Sequence, residues 1–98
     1  MRIVSQFEIA NESWKLMPEL NIVRSNASAC SLGGNIYVIG GSHMRRRALN
    51  SIEKLINPGH RDKAFWQLIE TPYSILIPRC CHFAVPLNSK EIVIFGGF

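Results

Sequence analysis

A short apolar strand closed by two glycines occurs twice in this chain. Ile36-Tyr37-Val38-Ile39-Gly40-Gly41 returns, 56 residues later, as Ile92-Val93-Ile94-Phe95-Gly96-Gly97. Self-similarity at such a period marks stacked units, none of which buries its apolar faces alone. The repetition extends past the glycines. Trp14 precedes Leu16, Met17, Pro18 and then Arg24, and Trp66 precedes Leu68, Ile69, Pro72 and then Arg79. Upstream of each tryptophan lies a strand-like segment, residues 3–9 and 49–56. Pairing Phe7 with Leu55 leaves 7 residues to Trp14 and 11 to Trp66. The difference is a four-residue insertion around 57–63, in a loop, where repeats accept added residues.

One full unit runs from Arg24 to Glu70. Residues 25–32 form a strand of small side chains, and Gly33-Gly34-Asn35 signals a tight turn. Residues 36–39 form the apolar strand, 42–48 a polar loop, 49–56 a third strand and 65–69 a fourth. Strand side chains alternate between faces, so Ile36 and Val38 point one way and Tyr37 and Ile39 the other. Both faces are apolar and both must be covered, unlike a half-solvated sheet. A four-stranded antiparallel sheet covered on both sides by its own copies is the layout of a β-propeller blade. Trp14 and Trp66 supply large apolar plates between neighbouring sheets, and the glycine pairs fit strand ends where φ is positive or a backbone approaches closely.

Together these residues resemble the kelch repeat: an arginine, a small-residue strand, a turn, an apolar strand ending Gly-Gly, a polar loop, a further strand and a tryptophan. The pattern falls on Arg24, Gly34, Tyr37, Gly40, Gly41, Ile52-Glu53 and Trp66. The next unit opens with Arg79 and His82 and reaches Gly96-Gly97, and the preceding one contributes Phe7-Glu8 and Trp14. Leu55 stands where the family usually has tyrosine, and Ala27 where histidine is common. The resemblance implies an all-β, partial propeller. Residues 1–23 hold the final strands of one blade, 24–70 a complete blade, and 71–98 a linker and the first two strands of the next. A propeller needs about 4–8 blades to close. Further blades are therefore required, from a longer chain of which this is a fragment or, as the alternative, from other copies.

Composition narrows the function classes. No apolar run is long enough to cross a bilayer, and the first residues lack the core of a secretory signal. Three cysteines do not make a disulfide framework and suit a reducing compartment, so the cytoplasm is expected, with the nucleus as an alternative. The net charge is +4, and Arg45, Arg46 and Arg47 are contiguous, with His43 just before them. In kelch propellers this loop and the link between blades line one rim where partners bind. The resemblance therefore implies a basic contact surface for an acidic or phosphorylated protein partner, since guanidinium groups grip such groups bidentately. No aromatic residue interleaves with the arginines, which argues against nucleic acid.

Arg24 and Arg79 recur at the opening of successive units and are read as structural, donating to carbonyls of an inter-blade loop. Cys80, Cys81 and His82 are consecutive. On a strand only Cys80 and His82 would share a face, too few ligands for a zinc site, so neither metal nor cofactor is expected. Glu53 and Lys54 are read as charges at an exposed blade edge that discourage edge pairing. No nucleophile or acid–base pair stands at motif spacing, so a non-catalytic interaction module is expected. The alternatives are the substrate-recognition part of a ubiquitin-ligase adaptor and a non-catalytic piece of a kelch-type propeller enzyme.

Overall fold

The computed structural model describes residues 2, 4–43, 47–69, 78 and 80–97, with backbone alone at Arg47 and Arg61. Its strands are β1 (Val4–Glu8), β2 (Ser13–Met17), β3 (Ser28–Leu32), β4 (Asn35–Ile39), β5 (Ser42–His43), β6 (Arg47–Ala48), β7 (Ile52–Ile56), β8 (Phe65–Ile69), β9 (Phe83–Pro86) and β10 (Ile92–Phe95). One 3-10 turn, Arg61–Lys63, is the sole helical element among the described residues. The architecture is all-β. A complete antiparallel sheet in the order β3-β4-β7-β8 stands between two hairpins, β1-β2 and β9-β10. It is one whole propeller blade flanked by two incomplete ones.

Local chemistry sets the strand limits. Gly33 and Gly34 both have positive φ, 57° and 80°, and Leu32 faces Asn35 across a two-residue turn of the kind that suits the right-handed twist of a hairpin. The first strand of the unit begins at Ser28 rather than Ser25, because Asn26 has a φ of 56° and breaks the extended run. Ser25 instead bridges Ser42. The third begins at Ile52 rather than Leu49, whose N–H is taken by the Gly41 carbonyl at 2.8 Å. The polar stretch 42–48 is not a simple loop: its ends pair as β5 and β6.

Register fixes two faces. Ala29, Val38, Glu53 and Leu68 lie side by side across the complete sheet, with Leu55 and Trp66 paired on the same face. That face meets the β1-β2 hairpin. Leu20, Leu55 and Trp66 form the core, and Val4, Met17 and Val38 pack on it. The Trp66 indole N–H donates to the Pro18 carbonyl at 2.9 Å, so burial leaves no orphan donor there. Trp14, in the equivalent place of the first hairpin, is 70% exposed and lies against Phe7 with ring centroids 5.0 Å apart. Only one of the two tryptophans is thus a plate between sheets here.

Candidate functional site

Beneath one rim of the complete sheet lies a buried ion pair. The Arg24 Nε donates to Glu53 Oε2 at 3.0 Å, with both side chains essentially sealed from solvent. Strand alternation places Glu53 on the same face as Leu55, facing the segment that enters the sheet. Its Oε1 accepts from the Asn21 N–H at 2.7 Å and the Asn21 amide at 3.0 Å, and its Oε2 also accepts from the Ile22 N–H at 3.2 Å. Arg24 Nη1 donates to the Gly40 carbonyl at 2.7 Å and the Ser51 carbonyl at 3.2 Å, while Nη2 reaches Ser51 Oγ at 2.8 Å. Charge this deep persists only when paired and hydrogen-bonded on every side.

This geometry corrects two expectations. Glu53 is not an edge charge: β7 lies between β4 and β8, and the carboxylate is 0% exposed. Arg24 donates to carbonyls of its own sheet, and Glu53 holds the linking segment. Lys54, on the opposite face of β7, sits 5.8 Å from the Tyr37 ring centroid.

Directly above this pair the rim is stitched together. Ser25 and Ser42 exchange backbone bonds, N–H to carbonyl at 3.0 and 2.7 Å, and their hydroxyls stand 3.0 Å apart. The Cys81 N–H donates to the Asn26 carbonyl at 2.8 Å, joining one unit to the next. Asn26 and Cys81 share a left-handed conformation, with φ of 56° and 60°. His43 faces Arg47 across the short β5-β6 pairing. Arg45, Arg46 and the Arg47 side chain lie outside the described residues, as does Arg79.

The glycine pairs have a packing cause. A β-carbon on Gly41 would lie 2.8 Å from the Ser25 carbonyl oxygen and 3.0 Å from the Ala27 β-carbon. One on Gly97 would lie 2.6 Å from the Cys80 carbonyl oxygen and 2.9 Å from the His82 β-carbon. The two glycines therefore occupy one structural position in successive units. Gly40, buried, receives Arg24 through its carbonyl, and its N–H donates to the Ser51 carbonyl at 3.0 Å. Gly96 stands in the corresponding place at the end of β10.

Cys80, Cys81 and His82 precede β9 rather than forming part of it, so strand alternation does not govern them. His82 is buried and Cys81 exposed. Desolvation, then the hydrogen bond with Cys81 and that group's charge, push the Cys80 thiol above its ordinary range. Among the described residues no three His, Cys, Asp or Glu side chains converge in a way that could hold a metal ion.

Residues 24–55 match the family model described as the Kelch motif. Residues 24–55 thus carry the kelch motif. A kelch repeat protein of Myxoma virus (strain Lausanne) is 40% identical over 50 residues, 51% of this chain and 10% of the viral protein. An F-box/kelch-repeat protein of Arabidopsis thaliana is 29% identical over 94 residues, 96% of this chain and 23% of the plant protein. The chain thus spans less than a quarter of the length of either relative. In kelch terms the motif arginine and the strand glutamate are two ends of one buried pair. Sequence reading missed the roles of Glu53, Asn21 and Ser51. The signal was present for Glu53, which shares strand parity with the apolar Leu55.

Proposed function

We propose that the chain is a non-catalytic protein-interaction module whose contact surface is the rim carrying the β5-β6 pairing and the segments that link successive units. One observation carries the reading. Two connections distant in sequence, 21–26 and 42–48, are anchored together by the Ser25–Ser42 bonds and by the ion pair beneath them. A rigid base of this kind lowers the ordering cost of a binding loop. The run Arg45, Arg46 and Arg47, next to His43 in the sequence, supplies positive charge suited to an acidic or phosphorylated segment of a partner. This reading divides the chain into units 1–23, 24–70 and 71–98 and places it among further blades. Its free thiols fit a reducing compartment such as the cytoplasm.

A second reading rests on the likeness to a protein named F-box/kelch-repeat. There the same rim would be the substrate-recognition part of a ubiquitin-ligase adaptor.

The test replaces Arg45, Arg46 and Arg47 with alanine and measures binding to arrayed acidic and phosphorylated peptides across a salt series. A fall of at least about tenfold, with a flatter salt dependence, is expected if the guanidinium groups make the contact. Equal binding and equal salt response in the triple variant would remove the loop from the interface.

A further inference from the structure

We propose that Cys80 and Cys81 form a peroxide-responsive thiol pair, which closes reversibly into a disulfide between neighbouring residues and so loosens the seam where the complete unit meets the next one.

Placement and exposure divide the roles. The two cysteines lie just before β9, Cys81 exposed and Cys80 half-buried. Their thiols are hydrogen-bonded to each other. Cys81 is the sulfur that a dissolved oxidant reaches, and Cys80 is a second sulfur already beside it. Desolvation, then that hydrogen bond and the charge of Cys81, keep the Cys80 thiol protonated above its ordinary range, so it waits as the resolving group. The third thiol, Cys30, is buried in β3.

The chemistry balances with hydrogen peroxide alone. The Cys81 sulfur, as thiolate, attacks one peroxide oxygen. The O–O bond breaks, and the departing hydroxide takes the proton that Cys81 gave up and leaves as water. The Cys80 sulfur then attacks the sulfur of the Cys81 sulfenic acid. An S–S bond forms, the S–O bond breaks, and the Cys80 proton departs with the hydroxide as a second water. Two thiols lose two electrons in total, and one peroxide is reduced to two waters.

The backbone ties this ring to the seam. A disulfide between neighbours encloses the 80–81 peptide bond in a small ring. Neighbouring Cα atoms across a trans peptide stand about 3.8 Å apart, short of the about 4.4–6.8 Å usual for a disulfide. Closure therefore strains that peptide and yields a bond that is easily reduced. Both polar groups of the same peptide are engaged. The Cys81 N–H donates to the Asn26 carbonyl at 2.8 Å, joining the complete unit to the one that follows. The Cys80 carbonyl oxygen packs on Gly97, 2.6 Å from where a β-carbon there would stand. Cys81 also holds a left-handed φ of 60°, uncommon for a residue with a β-carbon. In the complete unit Ser25 and Asn26 occupy the matching positions, the Ser25 carbonyl against Gly41 and Asn26 at a φ of 56°, and neither side chain supports this chemistry. A pair that is reduced at rest and transiently oxidised suits a reducing compartment, where disulfides sense redox state rather than hold structure. The site uses none of the arginine run, so it stands or falls apart from the contact loop.

The test treats the folded 98-residue chain with stepwise hydrogen peroxide, blocks the remaining thiols with N-ethylmaleimide and maps tryptic peptides by mass spectrometry. Peptide 80–90 is expected to lose two hydrogen atoms and carry no maleimide, and dithiothreitol should restore both thiols. Cys81→Ser should leave Cys80 open to alkylation at doses that close the wild-type pair. Cys80→Ser should stop Cys81 at the sulfenic acid, which dimedone captures. Hydrogen exchange reads the backbone: the Cys81 amide should exchange several-fold faster in the oxidised chain than in the reduced one. If either serine variant unfolds by circular dichroism, the wild-type peptide mass and amide exchange still decide. The proposal is overturned if both thiols stay open to alkylation, if the disulfide formed joins two chains or includes Cys30, or if wild-type Cys81 goes directly to sulfinic acid. Amide exchange at Cys81 that is unchanged by ring closure overturns the link to the seam.

Discussion

Glu53 explains why Arg24 opens the complete unit. A carboxylate sealed in a strand must receive donors from all sides, and Arg24, Asn21 and Ile22 provide them. Removing one partner leaves an uncompensated buried charge, whereas removing both does not. Glu53→Leu should therefore destabilise the chain by about 3–5 kcal/mol in urea unfolding, and Arg24→Met by a similar amount. The double variant Arg24→Met/Glu53→Leu should recover much of that loss. Strict additivity of the two single losses would show that the pair is not coupled. At Cys80 the direction of the pKa shift makes its own prediction. The folded chain holds this thiol protonated beyond its ordinary range. Its contribution to stability is complete below the unfolded thiol's pKa and is lost as pH rises through the folded value. Alkylation of Cys80 by iodoacetamide, followed by mass spectrometry, should reach half-maximal rate at higher pH in the folded chain than in urea. Coincident pH profiles would contradict this.

The elements were mostly legible in sequence, and the residues that were not have identifiable reasons. The apolar runs closed by glycine pairs located β4 and β10, and residues 65–69 emerged as β8 with the same limits. The first strand of the blade reads too long from sequence because nothing in Ser25-Asn26 announces a left-handed residue. The 42–48 stretch read as a loop because two-residue strands carry no periodicity. Glu53 reads as an edge charge because its formal charge hides its strand parity with Leu55, and its partner lies 29 residues away. The insertion was counted correctly: the turn between β1 and β2 spans 9–12, while the turn between β7 and β8 spans 57–64 and contains the 3-10 turn. Because chain entropy grows only slowly with loop length, shortening 57–64 to the four residues of 9–12 should change stability by about 1 kcal/mol or less. A larger loss in urea would assign the 3-10 turn a packing role beyond closure.

At the scale of the whole molecule, the described residues bury one core between the first hairpin and the complete sheet, while Trp14 and Leu16, on the other face of that hairpin, stay exposed. The two tryptophans report these two conditions separately. Trp66 is 5% exposed with its indole N–H engaged, and Trp14 is 70% exposed. In Trp14→Phe the remaining emission should be blue-shifted and resistant to acrylamide at all protein concentrations, because Trp66 is buried within a single copy. In Trp66→Phe, if the fold survives the lost core volume, the remaining Trp14 should be readily quenched when dilute. Should Trp66→Phe unfold the chain, the wild type still decides the matter. Its quenching curve should resolve into two populations, one protected and one accessible. A single, uniformly accessible population would show that Trp66 is not buried between the first hairpin and the complete sheet.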